Sequence, residues 1–343
     1  MLDFYKDKKI FITGHTGFKG AWLCRMLSMA GAQVTGFALK PPTDPSLFAI
    51  AGIEDEIISV TGDIRDPDSL REAFHRADPE LVIHMAAQPI VRDSYRMPAY
   101  TYETNVMGTV NILECVRDSG VRSFLNVTTD KVYENIETQR GYVETDKLDG
   151  YDPYSNSKSC SELVTHSYKK SFLEEKGIAV STARAGNVIG GGDFANDRII
   201  PDCVRAAITE KDIIVRNPYA VRPFQLVLEP LFAYLTIVQK QYENPELSGW
   251  YNVGPEESDA VTVGELVTMF CEKWGGLRWK NLYDGGPHEA GLLRLNCDKI
   301  KSTFGWKPRY CISEALDKVV EWSKAYADGE DVNDIMRKQI EEF

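Results

Sequence analysis

The chain has 343 residues, enough for one large or two ordinary domains, and its 43% hydrophobic and 26% charged content is that of an ordinary globular protein. A net charge of −12, from 39 basic and 51 acidic residues, argues against nucleic acid or an anionic membrane as the main partner, so an anionic ligand would need a local cationic pocket. Seven scattered cysteines without a Cys-x-x-Cys read as reduced thiols of a cytoplasmic protein rather than disulfides or a zinc site, and no metal site is expected. The charged start, Met1 to Lys9, does not read as a signal peptide, and no apolar run approaches the ~18 residues of a membrane span.

The first predicted element is a short apolar strand, Lys9 to Thr13. It runs directly into Gly14-His15-Thr16-Gly17-Phe18-Lys19-Gly20, and a helical pattern follows from Ala21 to Ala30. A strand, a glycine-rich turn and a helix form the first unit of a dinucleotide fold. The glycines let backbone N–H groups approach a pyrophosphate at the helix N-terminus. The second strand, Gln33 to Leu39, lacks the acidic residue that usually binds a ribose 2′-hydroxyl. Leu39 and Lys40 stand there, and Lys40, Lys19 or His15 could face a 2′-phosphate, so NAD and NADP both stay open at this point.

Further strands are read at Ile57 to Val60, Leu81 to Met85, Phe124 to Thr128 and Gly177 to Ala185. Helices near Ser69 to Ala77 and Tyr100 to Ser119 lie between them. This alternation predicts an α/β class with a doubly wound parallel sheet of Rossmann type, whose ligands sit outside the carboxyl ends of the strands. Gly14, Asp63 with Ile64, Ala86-Ala87-Gln88 and Thr128 fall at such ends. Asp63 suits an adenine amino group or, alternatively, caps the helix after Pro67. Asn105, polar inside a helix, either bridges to Lys158 through water or satisfies a kinked backbone. Beyond about residue 186 the character changes. Gly190-Gly191-Gly192 reads as a flexible stretch, and helices follow from Ile199, Pro230, Val263 and Ser313. The expected division is 1–186 for a dinucleotide-binding domain and 187–343 for a smaller α/β substrate domain, with segments packing back on the first.

Tyr154-Ser-Asn-Ser-Lys158 carries the chemistry, read with Thr128-Thr129-Asp130-Lys131 upstream. Tyrosine and lysine at i and i+4 share a helix face. A phenol with a pKa of about 10 is a poor base at neutral pH, and a lysine cation one turn away is expected to lower it. Such a pair removes a proton from a hydroxyl while hydride leaves the same carbon.

Taken together, the motifs resemble the extended short-chain dehydrogenase/reductases acting on nucleotide sugars, and within them the CDP-glucose 4,6-dehydratases. The matching residues are Thr13 to Gly20, Pro41-Pro42-Thr43 with Pro45 to Phe48, His84 to Gln88, Thr129 to Lys131, Tyr151 to Lys158, Arg184 to Asp193 and Pro287 to Ala290. They span nearly the whole chain in family order. The resemblance implies NAD as cofactor and a nucleotide sugar as substrate, oxidised at C4, dehydrated across C5 and C6, and reduced at C6. It assigns proton removal to Tyr154, support to Lys158 and Thr129, and the elimination to Asp130 and Lys131. Relatives acting on dTDP-glucose carry Glu at the position of Lys131. The alternative for Asp130 and Lys131 is a surface ion pair of little energetic weight.

For the substrate, the resemblance points to Arg222 and Asn187 at the diphosphate, with Arg198 assisting. His288 and Glu289 are candidate contacts, although Gly291 and Leu292 replace an arginine pair that relatives often carry just beyond. A homodimer, or a tetramer, is expected. Two other readings compete: a nucleotide-sugar 4-epimerase, and a non-catalytic dinucleotide-binding regulator, against which the intact Thr129, Tyr154 and Lys158 count.

Overall fold

The computed structural model describes residues 1–136, 140–282 and 293–343. Its strands are β1 (Lys9–Thr13), β2 (Gln33–Ala38), β3 (Ile58–Thr61), β4 (Leu81–His84), β5 (Ser123–Thr129), β6 (Ala179–Ala185), β7 (Asn187–Ile189), β8 (Ile213–Val215), β9 (Val221–Arg222), β10 (Phe224–Leu226), β11 (Trp250–Val253), β12 (Val261–Thr262) and β13 (Trp279–Asn281). The helices are α1 (Phe18–Met29), α2 (Leu47–Ile50), α3 (Pro67–Ala77), α4 (Val91–Arg96), α5 (Pro98–Tyr102), α6 (Gly108–Arg117), α7 (Pro153–Tyr168), α8 (Ile199–Ile208), α9 (Leu228–Glu243), α10 (Val263–Trp274), α11 (Asp298–Phe304), α12 (Ile312–Ala327) and α13 (Val332–Glu342).

The main sheet has seven strands in the order β11-β6-β5-β4-β1-β2-β3, all neighbours parallel. It is the doubly wound α/β sheet that the alternation of elements predicts. Alternate residues of each strand enter different cores because side chains on a strand point to opposite faces. Ile10, Ile12, Leu125 and Val127 pack with Trp22, Leu27, Leu231 and Leu235 of α1 and α9. Phe11, Val82, Phe124 and Val180 pack with Phe74, Ile112 and Val116 of α3 and α6. Both faces are therefore covered, which is why the strands read as continuous apolar runs. Fully burying one such side chain contributes about 1.5–3 kcal/mol, so the two faces dominate the stability of the sheet.

Three features differ from the sequence reading. The seventh strand, β11, is not among the strands read from the sequence; it belongs to the segments expected to pack back on the first half, and it pairs Trp250 to Val253 with Thr182 to Ala185. The helix expected over Tyr100 to Ser119 is interrupted by a π-helical turn at Glu103–Met107, which carries Asn105. The glycines 190–192 are not a flexible stretch but a buried crossing point. A Cβ on Gly191 would lie 2.1 Å from Cγ of Trp322, and the Gly191 carbonyl accepts a hydrogen bond from Trp22 Nε1 at 3.0 Å.

Candidate active site

The carboxyl ends of β1, β4 and β5 converge on the glycine turn. Gly14 takes φ of +82°, and a Cβ there would meet the Ala86 backbone nitrogen at 2.8 Å. A Cβ on Gly20 would lie 2.3 Å from the Gly14 carbonyl oxygen, so α1 packs against the turn as only glycine allows. Gly17 caps α1 with no side-chain hydrogen bond, leaving first-turn N–H groups for a phosphate. Thr16 Oγ1 donates to the Leu39 carbonyl at 2.9 Å and fixes the turn to the end of β2. Phe18 packs beneath Gly190. This cradle fits a dinucleotide diphosphate.

Two of the cations that could serve a 2′-phosphate are turned elsewhere. His15 is buried against Gly36 and hydrogen-bonded to Ser59 at 2.8 Å, and burial pushes its pKa down to about 4. Lys19 lies with its Nζ 5.7 Å from the Tyr234 ring centroid. Burial, with the nearby Lys158 and Arg198 cations, lowers it to about 7, which places it on the Lys158 side of the turn. Lys40 remains exposed at the end of β2.

At the end of β4, Thr13 Oγ1 accepts from the Ala86 N–H at 3.2 Å and contacts His84 Nδ1 at 2.7 Å. Burial holds His84 down to about 3, so it is a neutral link in this chain, which continues to Thr109 at 3.2 Å. The Asn105 side chain bonds the loop after β4 and α7, not the π-helical turn that carries it. Its Oδ1 accepts the Gln88 N–H at 2.8 Å, and its Nδ2 donates to the Gln88 carbonyl at 3.1 Å and to Ser157 Oγ at 2.9 Å. It thereby ties the loop carrying Ala86-Ala87-Gln88 to α7. The Gln88 side chain turns back on its own loop, donating to the Ile90 carbonyl at 3.1 Å.

At the end of β3, Asp63 is held by Arg65, whose Nε and Nη2 donate to Oδ2 at 3.0 and 2.6 Å. Those bonds keep the carboxyl below its ordinary range. The helix after Pro67 is capped by Asp66, not Asp63, because Asp66 Oδ1 accepts the N–H groups of Asp68 and Ser69. Ile64 is buried in the core against Gly108.

The centre of the site joins the end of β5 to the start of α7. Asp152 caps α7, accepting the Ser155 N–H at 3.0 Å, and this sets Tyr154 in the first turn. Tyr154 shares a hydrogen bond with Thr129. Its pKa is not lowered as the sequence reading expects. Burial pushes it up to about 12, because loss of solvation costs the phenolate more than the Thr129 bond returns, and Asp130 adds to the rise. Lys158 donates to the Val127 carbonyl at 3.2 Å, and burial lowers it to about 8.

Asp130 is 1% exposed, so its pairing with Lys131 is not a surface ion pair. Its Oδ1 accepts from Thr129 Oγ1 at 2.9 Å and lies 3.7 Å from Lys131 Nζ, while its Oδ2 is buried without a hydrogen-bond partner. Thr128 faces away: its hydroxyl donates into the interior, to Glu162 Oε1 at 2.5 Å, which leaves only its backbone beside a cofactor.

The expected substrate residues lie around this cluster. Asn187 opens β7 and pairs with Phe224 of β10. Arg222 is buried on β9, its Nη1 donating to the Val221 carbonyl at 3.0 Å. Gly186 packs on Pro223, so Asn187 and Arg222 flank that contact from opposite sides. Arg198 caps α8 and pairs with Asp193 at 3.2 Å, near enough to Tyr154 for its charge to act on the phenol. His288 and Glu289 lie outside the described residues.

The family model for GDP-mannose 4,6 dehydratase matches residues 11–319. The chain belongs to this family. It is 45% identical to a CDP-glucose 4,6-dehydratase of Salmonella typhimurium, covering 100% of this chain and 98% of the relative. It is 26% identical to a dTDP-glucose 4,6-dehydratase of Xanthomonas campestris, over 91% of this chain and 92% of that protein. Among solved structures, a dTDP-glucose 4,6-dehydratase from Bacillus anthracis in complex with NAD superposes with a TM-score of 0.78 at 23% identity, covering 94% and 98% of the two chains. A UDP-glucuronic acid 4-epimerase from Bacillus cereus reaches 0.81 at 21% identity, covering 92% and 99%. Fold alone therefore does not separate the dehydratases of this family from epimerases.

Within this family framework, several site-building residues escape a reading of motifs. The buried Glu162, one turn beyond Lys158 on α7, is the clearest. Its signal in the sequence is an acidic residue four positions after a lysine on an otherwise small-residue face. Ser157 and Thr13 act through hydroxyls whose partners become visible only in three dimensions.

Proposed function

We propose that this chain is an NAD-dependent CDP-glucose 4,6-dehydratase that forms CDP-4-keto-6-deoxyglucose. The observation that carries this reading is the Thr129-Asp130-Lys131 triplet beside Tyr154, with a buried carboxylate oxygen of Asp130 left unpartnered. Epimerisation at C4 needs a single proton acceptor, whereas water elimination needs an acid and a base besides it. Cytidine as the nucleobase is supported by the 45% identity, over the full chain, to a protein of that activity.

When bound, NAD supplies the hydride acceptor at C4 and the hydride donor at C6. The glycine turn Gly14 to Gly20 and the start of α1 would hold its diphosphate, and Lys158 its nicotinamide ribose. Tyr154 takes the C4 hydroxyl proton, with Thr129 hydrogen-bonded to the phenol and Lys158 favouring the phenolate. The resulting ketone acidifies the C5 hydrogen. Lys131, neutral, removes that proton, and Asp130, protonated, gives its own to the departing C6 hydroxyl. With hydride delivered to C6, Lys131 would return its proton to C5, and the proton that Tyr154 took would pass by way of Thr129 to Asp130, so that the residues end as they began. Arg222, Asn187 and Arg198 would hold the substrate diphosphate, so residues 187–343 supply mainly the sugar-nucleotide side.

A homodimer through α6 and α7 is part of this proposal. Leu163 on α7 is 53% exposed and Met107 beside α6 is 51% exposed, an apolar pair on adjoining helices. The free cysteines favour a cytoplasmic setting. Incubation with CDP-, dTDP-, UDP- and GDP-glucose tests the reading. A 4-keto-6-deoxy product is expected from CDP-glucose first, and a C4 epimer in its place would overturn it.

A further inference from the structure

Glu162 and Arg184 form an ion pair at the centre of the protein, each 0% exposed. Arg184 Nε lies 3.1 Å from Glu162 Oε1, and Nη2 lies 3.0 Å from Oε2. Apolar residues of similar volume would hold such a position about as well, since burying two charges costs much of what their attraction returns. Stability alone does not account for the pair.

What the pair touches does. Glu162 accepts hydrogen bonds from Thr128 Oγ1 at 2.5 Å and from Thr182 Oγ1 at 2.7 Å. Arg184 Nη1 donates to the Tyr133 hydroxyl at 2.8 Å and to the Glu144 carbonyl at 3.1 Å. Thr128 immediately precedes Thr129-Asp130-Lys131, and Tyr133 follows Val132, the last residue of the 3₁₀ turn that carries Asp130 and Lys131. The carboxylate thus grips the chain just before the triplet, and the guanidinium grips it just after. Tyr133 is anchored again by donating to Asn252 Oδ1 at 2.6 Å, on β11. The same α7 carries Tyr154 and Lys158 on the two turns before Glu162, so one rigid helix bears both the phenol and the grip on its partner strand.

We propose that Glu162 and Arg184 are positioning residues that clamp the Thr129–Lys131 triplet at a fixed distance from Tyr154. The inference rests on the reading of that triplet as the elimination machinery. A shift of about 1 Å between reacting groups costs on the order of 100-fold in rate, so the buried pair serves geometry where an apolar pair would give only packing.

Thr128→Val and Tyr133→Phe each delete one hydroxyl of the clamp and leave both charges in place. In the double variant, kcat on CDP-glucose is expected to fall about 10–100-fold with KM within about twofold of wild type. Amide hydrogen exchange at residues 129–133 should quicken by about tenfold or more, with the amides of β1 and α1 unchanged. A kcat within about threefold of wild type, a uniform rise in exchange, or a fall in kcat with unchanged exchange at 129–133 would each overturn the clamp. Should that variant not fold, Glu162→Gln with Arg184→Met, which removes both charges together, carries the same readouts. If wild type turns over no sugar nucleotide, the functional reading fails and the exchange pattern alone decides the clamp.

Discussion

The ammonium of Lys158 donates to the carbonyl oxygen of Val127 at 3.2 Å, tying α7 to β5 two residues before Thr129. A lysine buried this way is held as a cation where solvation is poor, and its pKa of about 8 records the cost.

That cost predicts a stability that depends on pH. Lys158 titrates at about 8 in the folded chain and at 10.5 when exposed. Between those values the unfolded chain binds more protons, so stability rises with pH from about 8 to 10.5, and below pH 8 the full penalty of up to about 3 kcal/mol applies. Lys158→Met should therefore be more stable than wild type at pH 7, lose that advantage towards pH 10.5, and be inactive throughout. Urea denaturation of both proteins at pH 7 and pH 10.5 checks this, and a variant less stable at pH 7 would contradict it.

Tyr154→Phe should lower kcat by about 10²–10⁴-fold while leaving dinucleotide affinity nearly unchanged, because the ring packs as before and only the proton acceptor is lost. Steady-state rates with NAD titration decide the matter. Activity within tenfold of wild type would reject Tyr154 as the acceptor.

Lys131→Ala separates oxidation from elimination. Tyr154, Thr129 and Lys158 suffice for hydride removal from C4, whereas Lys131 acts only at C5 and C6. In deuterated water the wild type should place deuterium at C5. The variant should accumulate enzyme-bound NADH absorbance, with product formation slowed about 10²–10⁴-fold. Normal yield with full deuterium incorporation would leave the elimination to Asp130 or Tyr154.

Gly191→Ala should destabilise the fold by about 1–3 kcal/mol or more. The added methyl would sit 2.1 Å from Cγ of Trp322, a side chain 1% exposed and unable to move aside. A melting temperature equal to that of wild type would show that the crossing has more room than its geometry indicates.

Sedimentation at micromolar concentration should show a dimer, and Leu163→Glu should convert it to a monomer by placing a charge in an apolar contact. A wild-type monomer would remove the α6–α7 interface.

What the sequence determined by itself is the local chemistry. Gly14-x-x-Gly17-x-x-Gly20 between a strand and a helix specifies a turn whose first and last positions only glycine can fill. Tyr154 and Lys158 share a helix face by spacing alone, and the alternating elements dictate a parallel sheet. Each of these signals acts over a few residues, where backbone sterics and helix periodicity are sufficient. Tertiary structure alone decided the electrostatics and the long-range partners. The Tyr154 phenol moved up rather than down because burial, which no local pattern reports, outweighs a single hydrogen bond. Asp66 rather than Asp63 is the helix cap because it directly precedes Pro67, while the Asp63 carboxylate is held by Arg65. Gly191, read as slack, proved to be the place where Trp322 presses on the backbone from 131 residues away in the chain. Glu162 carries no motif and Arg184 only opens the stretch to Asp193, since the meaning of the pair lies in the segments on either side of the Thr129–Lys131 triplet, and only the folded sheet brings those segments to it.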